Sequence, residues 1–183
     1  MRVIALNASG NEDGLTATMA KAVLEGAAEA GAATELVHMK QRKLLACLQC
    51  DNGWGLCSRD GTCIIEDDMQ AVREAMWRAD AVVISNPVYF GEMSEVAKNF
   101  LDRVRRCEIA GPDENKMAGK LGLGIAAAGG SGGGIVSCQF VIERYFQHLG
   151  IRLFDMIPVT RFTREYKIES AKLAGKALVG AQM

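Results

Sequence analysis

Short apolar runs alternate along this chain with longer segments in which apolar residues recur at helical spacing. The runs hold few polar residues and several β-branched ones, which favours buried strands. They cover residues 2–6, 35–39, 81–85, 121–128 and 151–159. An amphipathic helix is predicted after each run, from one beginning near Leu15 to a last one at about 168–179. This alternation predicts an α/β fold, a five-stranded parallel sheet in the doubly wound order 2-1-3-4-5 with helices on both faces.

Two connections depart from the regular pattern. Residues 40–65 form a long cysteine-bearing loop, and residues 107–118 form a polar connection that contains Gly111-Pro112. The helix that follows the first connection is expected to begin at a capping box made by Asp67 and Gln70. We expect residues 1–183 to form a single domain, because the chain is long enough for one good core and short for two.

The first strand runs into a loop of small and polar residues at 7–14, followed at once by a helix. The unpaired N–H groups and the macrodipole at a helix start favour an anion such as a phosphate. Side chains that could add donors are those of Ser9, Asn11 and Thr16. An ordinary strand-to-helix turn explains the same residues about equally well. The loop matches neither a P-loop nor a dinucleotide fingerprint, so a different phosphate-bearing ligand is needed.

Two further irregular loops are expected at the same edge of the sheet. One begins at Asn86 after the third strand, and the other is the glycine run 129–134 after the fourth. Carboxyl ends of parallel strands share one edge, and ligands bind there at the switch point. Tyr89 and Phe90 could flank a ligand or be core aromatics. The glycine run could be a flexible linker, but its position favours close approach to a ligand.

Composition removes several classes of function. The 183 residues carry 21 basic and 22 acidic side chains, which are well mixed along the chain. This gives no basic patch of the kind that binds nucleic acid or a membrane surface. No apolar run approaches the roughly 20 residues of a membrane span. The first residues read as a strand and not as a signal peptide, so we expect a cytoplasmic protein. Six cysteines then suggest metal or redox chemistry.

Four of those cysteines lie in the long loop with the spacing Cys47-x2-Cys50-x6-Cys57-x5-Cys63. Four thiolates suit a [4Fe–4S] cluster and equally a tetrahedral zinc ion. Free thiols or a disulfide stay open as alternatives. Cys107 and Cys138 fall at helical positions and are expected to be buried packing residues.

Over about residues 1–160 the chain resembles the flavodoxin-like NAD(P)H-dependent FMN reductase family, in particular its iron–sulfur flavoprotein branch. The resemblance is carried by Ala8-Ser9-Gly10 with Gly14-Leu15-Thr16, by the loop from Cys47-x2-Cys50 to Cys63-Ile-Ile-Glu-Asp-Asp-Met69, and by Ser85-Asn-Pro-Val-Tyr-Phe-Gly-Glu-Met-Ser94. The second and third stretches are specific to the family, whereas the first alone is weak.

The resemblance implies an FMN site built from three loops. The first loop would hold the phosphate with Ser9, Asn11, Gly14, Leu15 and Thr16. The second would cradle the isoalloxazine with Pro87, Val88, Tyr89, Phe90 and Gly91. The third would support the pyrimidine side with Ala128, Gly129 and Gly130. The bound cofactor is expected to be FMN and not FAD or NAD, since there is one phosphate nest and no dinucleotide fingerprint.

Two features depart from the family pattern. The family often has a basic residue in the phosphate loop, where this chain has Glu12 and Asp13. The family's cysteine pattern is also more compact, so residues 51–56 form an insertion before Cys57. Many relatives keep the loop without a cluster.

The predicted function is that of an FMN-dependent oxidoreductase, which takes hydride from NAD(P)H and passes electrons to a quinone, a small electrophile or an iron–sulfur cluster. No catalytic side chain is predicted, because the cofactor carries the reaction. An electron carrier with a ferredoxin-like partner is the alternative, and a binding domain that has lost FMN is a third. A homodimer or tetramer is expected, with residues 40–65 at a subunit contact.

Overall fold

The computed structural model describes residues 1–110 and 115–181. One sheet of five parallel strands has the order 2-1-3-4-5, which confirms the predicted topology. The strands are β1 (Arg2–Asn7), β2 (Ala33–His38), β3 (Ala81–Pro87), β4 (Leu121–Ala128) and β5 (Arg152–Thr160). The helices are α1 (Leu15–Glu29), α2 (Leu56–Arg59), α3 (Met69–Arg78), α4 (Glu95–Ala110), α5 (Ile135–His148) and α6 (Arg164–Gly180).

Both faces of the sheet are covered, which explains why residues 3–6 of β1 and 81–84 of β3 are all apolar. Alternate residues of β1 and β3 point to opposite faces, as the two-residue period of a strand requires. Val3 and Val83 pack in the core beneath α1 and α6, whereas Ile4 and Ile84 pack in the core beneath α3, α4 and α5. In the described part of the chain, none of the helices has the length and apolar character needed to cross a membrane.

Helices α1 and α6 approach each other through two glycines. A Cβ at Gly175 would lie 2.9 Å from the carbonyl carbon of Val23 and 3.0 Å from the nitrogen of Ala27. A Cβ at Gly26 would lie 2.8 Å from the carbonyl carbon of Lys172. The backbones of α1 and α6 are therefore in direct contact at these two glycines, and a residue with a Cβ at either position would force the helices apart.

Several element boundaries differ from the sequence prediction; β2 begins two residues earlier, at Ala33, and α6 four residues earlier, at Arg164. Strand β3 continues to Pro87 because it pairs with β4 as far as Ala127. Helix α4 continues to Ala110, so the prediction of a polar connection over 107–118 was wrong for its first four residues. The predicted Gly111-Pro112 lies outside the described residues.

The two cysteines outside the long loop are packing residues, as predicted. Cys107 and Cys138 are 2% and 0% exposed, within α4 and α5. Burial raises the pKa of each thiol to about 11. Both side chains are therefore neutral and unreactive at physiological pH.

The predicted capping box at the start of α3 is not formed, and that prediction was wrong. Asp67 accepts a hydrogen bond from the Met69 nitrogen at 3.1 Å, but its carboxylate is engaged mainly by Arg103. The Gln70 side chain bonds to Glu74 within the helix. A buried ion pair between distant parts of the chain has taken the place of a local cap.

Candidate functional site

Three loops meet at the carboxyl edge of the sheet and are tied together by hydrogen bonds. The Ala8 nitrogen donates to the Ser85 carbonyl at 2.9 Å, which joins the ends of β1 and β3. The Ser94 hydroxyl donates to the Ala8 carbonyl at 2.9 Å. The Ser137 hydroxyl donates to the Gly91 carbonyl at 2.7 Å, which joins the loop after β3 to α5. The predicted convergence of the three loops at one edge is therefore observed.

The first loop leads into a helix whose N-terminus has no side-chain cap. Gly14 is the N-cap residue and makes no side-chain bond. The first amide of the helical ladder is that of Thr18, which donates to the Gly14 carbonyl at 2.9 Å. The N–H groups of residues 15–17 precede that ladder, as in any helix, and with the macrodipole they favour an anion.

Side chains of the first loop fix its shape and anchor it to the sheet. The Ser9 hydroxyl accepts from the Asn11 nitrogen at 3.1 Å, and the Asn11 carboxamide accepts from the Asp13 nitrogen at 3.2 Å. Thr16 is 5% exposed, and its carbonyl accepts from the Ser85 hydroxyl at 2.8 Å. The predicted residues of this loop thus lie together around one helix start.

A basic residue that the sequence analysis missed lies beside the first loop. A Cβ at Gly10 would be 3.8 Å from the Lys40 ammonium nitrogen. Lys40 follows the end of β2, which neighbours β1 in the sheet. Lys40 and Arg42 line an open cleft of about 390 Å³ together with Gly10 and Tyr89. The position supplies the positive charge that the loop itself lacks.

The acidic residues of the first loop lie at the surface of the protein. The Glu12 carboxylate accepts a hydrogen bond from the Gln41 amide at 2.7 Å. Glu12 and Asp13 are both exposed to solvent. Water and the Gln41 amide therefore stabilise these charges, and their effect on an anion at the helix start is screened.

The second loop presents two aromatic side chains to solvent. Asn86 is buried, and its carboxamide oxygen accepts from the Ser94 nitrogen at 3.2 Å, which fixes the loop from within. Tyr89 and Phe90 are 42% and 109% exposed, which rules out the alternative that they are core aromatics. Phe90 has a left-handed backbone, with φ at +50°.

The third loop packs against the second through glycines. Gly134 has φ at +82°, and a Cβ there would lie 2.5 Å from the Gly91 Cα and 2.9 Å from its nitrogen. Ala128 is buried at the end of β4, while Gly129 and Gly130 are exposed with open space around them. The backbone of this loop is therefore accessible at the carboxyl edge.

The four cysteines of the 40–65 loop line one small cavity. Cys47, Cys50, Cys57 and Cys63 share it with apolar side chains and with Arg103 and Arg106. The cavity measures about 10 Å³, room for about one water molecule. Within residues 1–110 and 115–181, no three histidine, cysteine, aspartate or glutamate side chains have an arrangement that could hold a metal ion.

The ends of this loop are fastened by two buried ion pairs. Arg73 pairs with Glu108 at 2.6 Å and donates to the Gly61 carbonyl at 2.7 Å. Arg103 pairs with Asp67 at 2.6 Å. Burial alone would raise the pKa of Asp67, but hydrogen bonds from Arg103 and from two backbone amides hold that pKa below its usual value. This contribution to stability is present at neutral pH and is lost as the pH falls through the lowered pKa.

The cysteines of the cavity match a thiolate-ligated iron–sulfur group in number and chemistry but not in their arrangement. Four cysteine side chains line the cavity, which is the ligand number such a group requires, but no three of them are arranged to hold a metal ion. The Arg103 Nε atom is buried and has no hydrogen-bond partner among the residues described, so one donor is unused there. With room for about one water molecule, the cavity of this conformation is too small for a four-iron group.

Comparison with known proteins agrees with the architecture. An NAD(P)H:quinone oxidoreductase from Methanothermobacter marburgensis superposes with a TM-score of 0.80 at 22% identity, covering 97% of this chain and 96% of that one. A flavodoxin from the domain Archaea superposes with a TM-score of 0.64 at 13% identity, over 98% of this chain and 97% of that one. These likenesses show a flavodoxin-like fold.

Sequence comparison identifies the family. An iron–sulfur flavoprotein of Methanocaldococcus jannaschii is 32% identical over 130 residues, which is 71% of this chain and 65% of that protein. The matched segment is thus less than two thirds of that relative's length. The family model described as NADPH-dependent FMN reductase matches residues 1–159. The chain therefore belongs to the NADPH-dependent FMN reductase family.

Proposed function

We propose that this protein is an FMN-dependent oxidoreductase that uses NAD(P)H as the electron donor. Bound FMN would accept hydride and release electrons singly or in pairs to a quinone or another small electrophile. Residues 1–183 would act as one FMN-binding domain, and a cytoplasmic location belongs to the same proposal. The chain's own task is to bind and orient the flavin, so no side chain is assigned as a catalytic acid or base.

The observation that carries the proposal is the uncapped start of α1 beside Lys40. The amides of residues 15–17, with Ser9, Asn11 and Thr16, would hold the phosphate, and Lys40 would balance its charge. The backbone at 87–91 and 128–130 would support the ring, since both stretches lie at the same edge of the sheet. The exposed Tyr89 and Phe90 would contact its faces.

Anaerobic mixing with NADPH tests this function. Protein loaded with FMN should lose its absorbance at about 450 nm within one turnover, because hydride reduces the flavin. NADH should be compared in parallel, since the fold does not select between the two donors. Flavin that stays oxidised with both nucleotides would exclude the proposed activity.

A second role, electron transfer through an iron–sulfur cluster, is favoured by the four cysteines of the 40–65 loop. Cys47, Cys50, Cys57 and Cys63 would hold a [4Fe–4S] cluster, which exchanges single electrons with FMN or with a ferredoxin-like partner. Anaerobic protein should then contain about four iron and four sulfide per chain. One zinc per chain without sulfide would identify a structural zinc site instead.

The 40–65 loop also supports a proposal of self-association. Leu48, Trp54 and Ile64 are 68%, 74% and 48% exposed on this one connection. Apolar side chains concentrated in this way favour burial against another surface, so we propose a homodimer or tetramer. Light scattering at micromolar concentration should give a multiple of the 19.7 kDa chain mass, and the monomer mass would refute the proposal.

Removing either of two phosphate contacts should weaken FMN binding. Thr16→Ala would delete a hydroxyl at the helix start and should reduce the affinity about tenfold, since a hydrogen bond to a charged group contributes roughly 1.5–3 kcal/mol. Lys40→Ala should reduce the FMN affinity less, by about threefold, because the Lys40 ammonium group is exposed and its charge is screened by solvent. Fluorescence titration with FMN measures both affinities.

The matched control is Lys43→Ala. Lys43 is an exposed cation three residues after Lys40, but it does not line the cleft beside Gly10. Its replacement should leave the FMN affinity unchanged. Equal effects of Lys40→Ala and Lys43→Ala would mean that only the general surface charge matters, and unchanged affinity in Thr16→Ala would place the phosphate elsewhere.

A further inference from the structure

Two large apolar side chains of α5 are exposed on the side opposite the buried Ile142. Val136 and Phe140 are 78% and 59% exposed, and they lie one turn apart at positions i and i+4. FMN at the proposed site could cover the exposed Phe90, but Val136 and Phe140 lie along the first two turns of the helix, beyond the three loops. A group of exposed apolar side chains is typical of an interaction surface, whereas single ones are not.

Unpaired charges are divided between the two ends of α4 and α5. Both helices begin at the carboxyl edge of the sheet, where Glu92 and Glu95 are exposed. The later turns carry three basic side chains, Arg105, Arg144 and His148, which line one open cavity of about 180 Å³. Among the residues described, none of these five side chains forms an ion pair. The surface is therefore acidic at one end and basic at the other.

This distribution of charge is complementary to itself under a two-fold axis perpendicular to the helices. Phe140 lies near the midpoint of α5, and between the charged ends Lys98 pairs with Asp102, so the centre carries no net charge. In a symmetric dimer the same patch occurs on both subunits. When α5 runs antiparallel to α5 of a second copy, each acidic end meets a basic end. Complementarity of this kind favours one orientation and disfavours the others.

The same surface continues into the 40–65 loop. Arg105 lines the cavity beside Arg144 and also a second cavity, of about 390 Å³, beside Trp54 and Ile109. Trp54 and Ile109 are 74% and 49% exposed. The loop proposed above as a subunit contact and the exposed side of α5 therefore belong to one continuous surface.

We propose that a second copy of this chain binds to this surface, with α5 antiparallel to the partner's α5 and Phe140 close to the two-fold axis. Glu92 then faces the partner's Arg144, and the symmetry forms this pair twice. The inference rests on the self-association proposed above and names the surface that carries it. None of the five charged side chains belongs to the proposed flavin loops, so association and flavin chemistry can be tested separately.

Charge reversal tests the antiparallel orientation. Glu92→Arg and Arg144→Glu each bring like charges together, so each should raise the dissociation constant of the pair of copies at least about tenfold. The double variant pairs opposite charges again and should return to within about threefold of the unsubstituted protein. Sedimentation equilibrium measures the constant, and circular dichroism checks that each variant is folded. A double variant at least as weak as the single ones would refute the antiparallel pairing.

Phe140→Asp tests the centre of the surface. It should raise the dissociation constant at least about 100-fold, because the two-fold axis places the change in the interface twice. The matched control is Leu173→Asp, since Leu173 is 64% exposed on α6, which packs on the other face of the sheet. That variant should associate as the unsubstituted protein does.

Two results would contradict the inference in different ways. An unsubstituted protein with the monomer mass of 19.7 kDa would overturn self-association as a whole. An oligomer that Phe140→Asp leaves intact would overturn only the surface named here. Reduction of bound FMN by NADPH, measured in the same samples, tests the oxidoreductase proposal separately.

Discussion

Gly134→Val is expected to reduce the FMN affinity about 100-fold. The new Cβ would lie 2.5 Å from the Gly91 Cα, so the loops after β3 and β4 would have to move apart. The φ of +82° at this position adds a cost of about 1–2 kcal/mol for any L-residue. Together with overpacking of roughly 1–3 kcal/mol, this is enough to disrupt the two loops proposed to support the flavin ring.

Retention of FMN on gel filtration, followed by fluorescence titration, measures this effect. The control is Gly133→Ala at the neighbouring residue, where the contact of a Cβ with the described residues would be one with the Ser131 hydroxyl at an ordinary 3.5 Å. That protein should bind FMN normally. If Gly134→Val also binds FMN with full affinity, the contact between the two loops has no part in the site.

Gly175→Ala is expected to destabilise the fold by about 3 kcal/mol or more. The added methyl group would meet the Val23 carbonyl and the Ala27 nitrogen, which are backbone atoms of α1 and cannot rotate away. The helices would have to separate, with loss of packing along α1 and α6. For a protein of this size, such a change corresponds to a drop in Tm of roughly 6–12 °C.

Thermal unfolding followed by circular dichroism checks this prediction. Gly180→Ala on the same helix serves as the control, since no atom of the described residues lies within 4 Å of a Cβ there. It should leave Tm unchanged or raise it slightly, because alanine favours helix over glycine. Equal Tm values for the two variants would show that the close approach of the helices does not contribute to stability.

The sheet and its order could be predicted because both depend on local patterns. Apolar runs and helical spacing identify the elements, and doubly wound topology then places the loops at one edge. The end of β3 at Pro87 was not predicted, since it depends on pairing with Ala127 in another strand. The helical course of 107–110 was missed because these residues were grouped with the polar stretch 111–116 that follows them, although Cys107 continues the buried face of α4.

The candidate site could be located from sequence, but the long-range partners of its charged residues could not. Lys40 comes near Gly10 only because β2 lies beside β1, although the basic run Lys40-Gln-Arg-Lys43 at the end of β2 was a usable signal. Asp67 was predicted to form a capping box with the nearby Gln70, yet its ion-pair partner, Arg103, is 36 residues away in the chain. Arg103 could have been noticed as a charge between Phe100 and Cys107 on one apolar face.

The measurement that tests the central claim most directly compares the affinities of the protein for FMN and for riboflavin. The two ligands share the ring and ribityl chain, and they differ in the phosphate that the start of α1 is proposed to hold. FMN should bind at least about 100-fold more tightly, which corresponds to about 2.7 kcal/mol from the phosphate. Equal affinities, or no binding of FMN, would contradict the assignment of this edge of the sheet as a flavin phosphate site.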